Sequence, residues 1–462
     1  MMTNATSAAR TPVVLIPVSV AVVWIAVLFT ADDVGPIAYG LPALVLMALA
    51  GGAVVSAAAC AQPPATALLL VAVLFVLSLS FRKREIGEIG LDWQNGLKLA
   101  MWTVIACVGA LRWRQIASFL VKPELALAFA YAWMALLSAA WSPVSSYTAA
   151  CAIGLISYLL LACLVTKDLG MHSSVRLITY TLLVYVALGL VGGLLLPGIT
   201  WMEPMGEEVL HRLQGFSSHP NVFGQEAGLL LTLGVIARRQ RLITRPVFWF
   251  TLLVSTIVIV LTNSKTTLIT VVLAWGLVAA RNSRNVGAIS VVTLLAILVA
   301  LFIGGIGALP DIAELLGGLS RSGDINEILT LTGRTELWSV AWEKIAEKPL
   351  LGWGYNGAEE LLSSSMDRTF YGEAVNAHNL FMQTLLSLGA LGSLPLFALL
   401  GKLIVDFINR PNSSRDQIVA LALLGGISEV SIAGTPGLLT LLFFCALTWD
   451  LPGKYATRAV AP

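Results

Sequence analysis

The sequence predicts an all-α, polytopic membrane protein with about 12–14 transmembrane helices. Hydrophobic residues make up 57% of the chain and charged residues only 12%, whereas a soluble domain carries about 25% charged residues. Apolar runs of about 17–25 residues, long enough to cross the hydrocarbon core as helices, recur from end to end. They lack the alternation of apolar and polar residues that marks a transmembrane β-strand. The whole chain, residues 1–462, is therefore predicted to form a single integral membrane domain.

The apolar runs are separated by two polar loops, near residues 198–221 and 310–377. The first run is as long as the later ones and no small-residue cleavage site follows it, so it is predicted to be a retained helix. The predicted helices are 13–31, 37–60, 65–80, 96–111, 124–141, 148–165 and 176–197, then 222–237, 246–262, 267–280 and 286–309, and finally 380–408, 417–434 and 438–451.

Basic residues in the short loops predict the orientation of the helices. The loop after residue 237 carries four bases and no acid between Arg238 and Arg245, so it is predicted to be cytoplasmic, together with the basic loops near 112–122, 281–284 and 410–415. Both termini then lie in the cytoplasm, and the loops 198–221, 263–266 and 310–377 lie on the opposite face. The bases at 82–84 are the exception. They reflect a miscounted helix, bind an anionic ligand, or lie in an amphipathic segment over residues 81–95.

The long polar loop, residues 310–377, holds 16 of the 54 Asp, Glu, Lys and Arg residues of the chain. Apolar residues recur at helical spacing after Thr332, which predicts an amphipathic helix over about residues 332–348, on the membrane surface or packed on the bundle. Arg334 would lie in its first turn, where the helix dipole disfavours a cation unless an anion binds between them. The alternative is that Arg334 reaches toward water or pairs with Glu336.

Two further polar segments face the same side. The turn at 263–267 contains a single charge, Lys265, which is either a ligand-binding cation or an interfacial anchor. The loop before residue 222 contains Arg212 and ends in Pro220, which is suited to a helix start, and Asn221, which is suited to cap it. A metal site at His211 and His219 is disfavoured, because their spacing fits no common site and no Cys or paired carboxylate accompanies them.

His378 lies at the outer end of the helix predicted to begin at residue 380. A neutral imidazole can take a proton from a sugar hydroxyl near pH 7, although a histidine here can also serve only as a cap or an interfacial residue. Three cations and this histidine, each at a helix–loop boundary on one side of the bilayer, suit a lipid-linked diphosphate as substrate. This chemistry requires no metal, and the chain has no Asp-rich motif to hold one.

These motifs resemble the O-antigen ligase and polymerase superfamily, which includes exopolysaccharide polymerases. The first is Arg-Leu-Gln-Gly-Phe-Ser-Ser-His-Pro-Asn at 212–221. The second is Thr-Gly-Arg-Thr-Glu-Leu-Trp at 332–338, followed by Lys-Pro-Leu-Leu-Gly-Trp-Gly-Tyr at 348–355. The third is Ala-His-Asn-Leu at 377–380, followed by Leu-Gly-Ala-Leu-Gly at 388–392. The resemblance covers roughly residues 125–450.

The resemblance implies a GT-C-type glycosyltransferase of the bacterial inner membrane, with its active site facing the periplasm. Such an enzyme takes a glycan from undecaprenyl diphosphate, with inversion at the anomeric carbon and without a metal or other cofactor. The resemblance places Arg212 and Arg334 among the diphosphate-binding residues and makes His378 the catalytic base. Lys265 stands where an arginine is common, and it keeps the charge but not the bidentate geometry. Three further residues are expected to support the site: His219, Asn221 and Asn379.

The resemblance leaves the acceptor open between two reactions. A polymerase joins one lipid-linked repeat unit to another, whereas a ligase transfers the finished glycan to lipid A–core. The Ser-Lys-Thr turn at 264–266 and the run at 92–98 favour a polymerase of exopolysaccharide or O-antigen. The expected partners are the undecaprenyl-diphosphate-linked oligosaccharide donor, a glycan or lipid A–core acceptor, the lipid bilayer and other polysaccharide assembly proteins. Nucleic acid is not among them.

A transporter of lipid-linked glycan is the alternative from another functional class. Transporters place ionisable residues at mid-membrane in broken helices, and Glu226 and Glu429 are the candidates for buried charge here. The pairs of glycines at 425–426 and at 434 and 437 could break helices. Most of the charge is nevertheless predicted to lie outside the bilayer, which favours the enzyme.

Overall fold

The computed structural model describes residues 65–78, 93–203, 211–282, 334–358, 361–362 and 376–449. The predicted helices 13–31, 37–60 and 286–309, the bases at 82–84 and most of the 310–377 loop lie outside the described residues. The assignment of the whole chain to one domain therefore remains a prediction.

The described part of the chain is helical apart from one small antiparallel β-pair. The strands are β1 Trp201–Met202 and β2 Arg212–Leu213, with Met202 opposite Arg212. Short 3-10 turns occupy Ala117–Phe119 and Ser138–Ala140. The α-helices are α1 Ala65–Ser78, α2 Trp93–Leu111, α3 Trp113–Ile116, α4 Pro123–Leu137, α5 Ser145–Leu195, α6 Pro197–Thr200, α7 Pro220–Arg239, α8 Arg245–Leu261, α9 Lys265–Asn282, α10 Arg334–Glu347, α11 Leu380–Asn409, α12 Ser413–Gly425 and α13 Leu438–Thr448.

Three helices of the described part are long and apolar enough to cross a membrane: Pro123–Ala140, Ser145–Leu195 and Leu380–Asn409. A further span results if Asn95–Leu111 and Trp113–Phe119, which are bent by 77° relative to one another, are taken together. The described part therefore has the character of an all-α membrane protein, as the sequence predicts.

Helix α5 consists of two helices that meet at a kink at Gly170. This glycine has φ 69° and ψ 172°, a conformation that residues with a Cβ rarely adopt. Beside the kink, Asp168 binds both Arg112 at the end of α2 and Thr66 at the start of α1. Helix α2 packs along the first half of α5, where Ser157 donates to the carbonyl of Trp102. Helix α1 packs along the second half, where Tyr185 donates to the carbonyl of Ser78. The two halves correspond to the predicted helices 148–165 and 176–197.

Contacts at the helix ends define two opposite faces of the bundle. On the first, which we call the Arg281 face, Arg281 pairs with Asp416, Gln240 donates to Ser414 over 2.8 Å and Lys402 pairs with Glu124 over 2.9 Å. On the second, which we call the His378 face, lie the 211–221 loop, the 263–266 turn and the start of α11. The structure thus gathers the basic loops at one end of the bundle and the predicted site residues at the other.

Helix α11 is broken at Gly389, and the segment 349–354 fills the break. Gly389 has φ 62° and ψ −173°, which leaves backbone groups on both sides without helical partners. Trp353 and Gly354 donate N–H bonds to the carbonyls of Leu386 and Ser387, at 2.9 and 2.8 Å. In return, the N–H groups of residues 390 and 391 donate to the carbonyls of residues 349 and 350, at 2.8 and 3.1 Å. This exchange holds the end of the long loop against the bundle.

Helix α10, at Arg334–Glu347, lies in the region where the sequence predicts an amphipathic helix. Its apolar face packs on the bundle, because Leu337, Ala341 and Ile345 are buried in one cluster with Leu386 of α11. On its other side, Trp342 remains 59% exposed.

The predicted helix 417–434 is wrong at its C-terminal end, because α12 ends at Gly425. The carbonyl of the next residue, Gly426, accepts the N–H of Leu380 over 2.7 Å. A Cβ at Gly426 would lie 2.9 Å from the Leu380 side chain, so only glycine permits this approach. Residues 426–437, which we call the α12–α13 segment, therefore leave the helix and pass beside the start of α11.

We expect Gly389→Ala to destabilise the protein by about 3 kcal/mol, because a Cβ there would be strained and would also clash with backbone. That Cβ would lie 2.3 Å from the carbonyl carbon of Leu350. The thermal unfolding midpoint of the purified protein in detergent is the measurement.

The matched control is Gly401→Ala in the same helix, where a Cβ would meet nothing within 4 Å. The control is expected to keep the midpoint or raise it slightly, since alanine favours a helix interior over glycine. Equal midpoints for both variants would show that the break at Gly389 does not depend on the docked segment.

Candidate active site

His378 is held in an unusual backbone conformation directly before α11. Its φ is +44°, which is uncommon for a residue other than glycine. The side chain of Asn376 accepts the His378 backbone N–H over 2.9 Å. Asn379 caps α11, since its Oδ1 accepts the N–H groups of Phe381 and Met382 at 2.9 and 3.0 Å. The two asparagines therefore fix the backbone on both sides of the histidine.

The imidazole of His378 contacts the carboxylate of Glu429, which is not among the site residues that the sequence predicts. His378 Nδ1 lies 3.1 Å from Glu429 Oε2, and the two side chains are 30% and 12% exposed. With the proton on Nδ1 donated to the carboxylate, Nε2 carries the lone pair and is available as a base. One signal in the sequence could have identified Glu429, because it is the only acidic residue between Asp416 and Asp450.

The α12–α13 segment, which carries Glu429, is tied down at both ends. At its start, Asn379 Nδ2 donates to the carbonyl of Ile427 over 3.0 Å. Toward its end, the Tyr355 hydroxyl donates to the carbonyl of Gly434 over 2.6 Å, and Asn356 donates to the hydroxyl of Thr435 over 3.2 Å. Burial raises the pKa of Tyr355 well above its usual value, so its hydroxyl stays protonated and remains a donor. The second and third sequence motifs therefore position the carboxylate together.

Arg212 lies inside the protein, with only 1% of its surface exposed. Its Nε donates to the carbonyl of Thr262 over 3.0 Å, and its Nη2 donates to Asn221 Oδ1 over 2.5 Å. The guanidinium therefore joins β2, the start of α7 and the end of α8. The predicted contact of Arg212 with a diphosphate remains a prediction, and the geometry adds a structural role.

The prediction that Asn221 caps α7 is wrong. Helix α7 begins at Pro220, and His219 is the capping residue, because its Nδ1 accepts the Asn221 N–H over 3.1 Å. Pro220 has no N–H, so the N–H of Asn221 is the first that needs a partner. The Asn221 side chain, which was expected to cap the helix, instead accepts the bond from Arg212.

Lys265 is the first residue of α9 and is half-buried on the His378 face. It follows a tight turn in which Asn263 has φ +47°. Gly224 of α7 approaches this turn so closely that a Cβ would lie 2.7 Å from the Ser264 side chain. Because Thr262 binds Arg212, the structure brings the Arg212 loop and the Lys265 turn together.

Arg334 begins α10, and its side chain lies outside the described part of the chain. The helix is nevertheless placed relative to His378, because Trp338 Nε1 donates to the carbonyl of Ala377 over 2.9 Å. The first turn of α10 is therefore near the residue that precedes the histidine.

A narrow crevice begins beside Thr266 of the Lys265 turn. It lies between α7, α9, α12 and α13, and residues that line it include Gln225, Thr266, Thr267, Thr270, Gly425 and Leu439. Among the residues that the structure describes, no group of three or more His, Cys, Asp or Glu side chains could hold a metal ion.

Residues 250–397 match a protein-family model described as O-antigen ligase. This region is O-antigen ligase-like. The match confirms the resemblance to an O-antigen ligase/polymerase-like family that the sequence motifs indicate. A comparison with curated proteins finds no match to the chain.

The O-antigen ligase-like region contains some of the candidate site residues and not others. Lys265, Arg334, His378 and Asn379 fall within residues 250–397. Three other candidates, Arg212, His219 and Asn221, precede this region and bind one another, and Glu429, which contacts His378, follows it.

We expect Arg212→Gln to lower the free energy of unfolding by about 2–3 kcal/mol, since it removes charge-assisted bonds from a buried guanidinium to Thr262 and Asn221. The thermal midpoint of the purified protein measures this loss. Lys265→Gln is the matched control, because it removes one positive charge from the same face at a half-exposed position. Similar midpoints for the two variants would argue against the structural role of Arg212.

Proposed function

We propose that this protein is a membrane glycosyltransferase that moves a glycan from undecaprenyl diphosphate to a sugar hydroxyl at the periplasmic face. The proposed reaction is the polymerisation of exopolysaccharide or O-antigen repeat units. The observation that carries the proposal is the contact between His378 and Glu429 at 3.1 Å. His378 lies within the O-antigen ligase-like region, and the pair is on the face that also holds Arg212 and Lys265.

In the proposed reaction, Nε2 of His378 takes the proton from the acceptor hydroxyl. The hydroxyl oxygen forms a bond to the anomeric carbon from the side opposite the diphosphate, which inverts the configuration there. The bond between the anomeric carbon and the diphosphate oxygen breaks, and its electron pair leaves on that oxygen. Glu429 orients the imidazole and stabilises the imidazolium that forms, as a carboxylate does for the histidine of a catalytic triad.

The leaving diphosphate gains negative charge, and placed cations are proposed to stabilise it. Lys265 and Arg334 each begin a helix, so backbone N–H groups of the first turn accompany the side-chain charge. Arg212 donates to Thr262 and Asn221, and we assign it the role of holding these two loops together while adding positive potential. We propose no metal or cofactor in this scheme.

The two carboxylates that a transporter would require fit the enzyme at least as well. Glu429 lies beyond the end of α12 and contacts His378, which directly precedes the cap of α11. Glu226 is buried in a hydrogen-bonded chain in which Ser217 donates to it over 2.5 Å and also contacts Tyr185 over 2.8 Å. Ser217 belongs to the Arg212 loop, so this chain anchors that loop.

The deciding experiment incubates the purified protein with lipid-linked repeat units and no nucleotide sugar. We expect longer glycans, and a rate at least about 100-fold lower in His378→Ala, because a positioned base contributes roughly 10²–10⁴-fold. Unchanged substrate, with movement of lipid-linked glycan across liposome membranes, would contradict the enzyme and favour transport. Lipid A–core supplied as a competing acceptor would identify a ligase if glycan is transferred to it in preference.

We expect Glu429→Gln to lower kcat by roughly tenfold to 100-fold while leaving KM near its original value. The amide keeps the shape of the side chain but loses the charge that stabilises the imidazolium. Steady-state kinetics of glycan formation give both constants. Glu343→Gln is the control, since it removes an acid on the exposed side of α10. An unchanged kcat in Glu429→Gln would remove this carboxylate from the mechanism.

A further inference from the structure

A cavity lies at the Arg281 face, at the other end of the bundle from His378. Its volume is about 700 Å³, which is within the usual range for a small-molecule site. It is bounded by the start of α4, the end of α11 and the start of α12. The charged side chains that line it are Lys122, Glu124, Lys402, Asp406, Arg410 and Arg415.

Two of the four cations in this cavity are neutralised by the protein. Lys402 pairs with Glu124 over 2.9 Å and with Asp406 over 2.8 Å. Arg415 pairs with Asp416 over 2.9 Å, and its Nη2 donates to the carbonyl of residue 410 over 2.8 Å. These contacts engage both carboxylates that line the cavity.

The other two cations, Lys122 and Arg410, have no such compensation. Neither side chain forms an ion pair or hydrogen bond with another residue in the part of the chain that the structure describes. The cavity has four cations against two carboxylates, so an excess of two positive charges remains on these side chains. An anion of one or two negative charges would balance them.

Apolar side chains stand directly beside this charge. Val121 precedes Lys122 and is 86% exposed, and Val405 precedes Asp406 and is 53% exposed. A soluble anion would gain nothing from such neighbours, whereas a phosphate that carries acyl chains would contact both surfaces at once. Basic pockets between transmembrane helices are suited to anionic lipid headgroups for this reason.

We propose that this cavity binds the phosphate headgroup of an anionic phospholipid from the leaflet at the Arg281 face. Lys122 and Arg410 contact the phosphate, while Lys402 and Arg415 stay paired with protein carboxylates and line the cavity beside it. The acyl chains lie against the exposed apolar surface near Val121 and Val405. This site is separate from the proposed active site and does not depend on the proposed function.

The experiment is native mass spectrometry of the full-length protein in detergent, titrated with phosphatidylglycerol. Phosphatidylcholine with the same acyl chains and inorganic phosphate are titrated in parallel. We expect Lys122→Gln/Arg410→Gln to weaken the first phosphatidylglycerol binding event by about 30-fold. That loss corresponds to about 2 kcal/mol, or about 1 kcal/mol for each cation near an anionic headgroup.

The matched control is Arg238→Gln/Arg239→Gln, which removes the same charge from the same face at residues that do not line the cavity. The control is expected to bind phosphatidylglycerol within about twofold of the original protein. Each single variant, Lys122→Gln or Arg410→Gln, is expected to weaken binding about fivefold, which keeps the test available should the double variant fold poorly.

Three results would overturn the proposal. Equal losses in the two double variants would indicate diffuse surface attraction in place of a site. Equal affinity for phosphatidylcholine and phosphatidylglycerol would exclude recognition of the net charge. Displacement of phosphatidylglycerol by inorganic phosphate at similar concentrations would identify a soluble anion as the occupant.

Discussion

The exchange of backbone hydrogen bonds at Gly389 is the constraint on which the rest of the His378 face depends. A helix broken in apolar surroundings leaves N–H and C=O groups that water cannot reach, and each unsatisfied group costs several kcal/mol. The segment 349–354 supplies four partners at 2.8 to 3.1 Å. This contact requires glycine at two positions, because a Cβ at Gly352 would lie 2.6 Å from the backbone of residues 387 and 389.

The docked segment 349–354 positions the elements on either side of it in the chain. Tyr355 follows the docked segment directly and binds the end of the α12–α13 segment, which carries Glu429. Helix α10 precedes the docked segment and packs on the part of α11 before Gly389. His378 directly precedes the cap of α11 and contacts Glu429. The proposed catalytic pair therefore joins residues 51 positions apart.

The sequence predicts helices where apolar runs recur, and it predicts site residues where a helix meets a loop. Apolar runs located both halves of α5, and polar interruptions located Arg212, Lys265 and His378 on one face. The sequence does not predict Glu429 as the partner of His378. His378 precedes α11 and Glu429 follows α12, and no spacing pattern in the sequence relates two such positions. The overextended helix 417–434 has the same origin, since the apolar pattern continues past Gly425 while tertiary contact with Leu380 ends the helix.

The burial of Arg212 changes how a diphosphate is expected to be held. The long loop contains 11 acids against five bases, so its bulk charge repels an anion and binding must depend on a few placed cations. A guanidinium that donates to Thr262 and Asn221 cannot also give those N–H groups to phosphate. Its charge still contributes, because the low dielectric of the interior extends its reach. The direct contacts then fall to groups at helix starts, where Lys265 brings both an ammonium and the backbone N–H groups of a first turn.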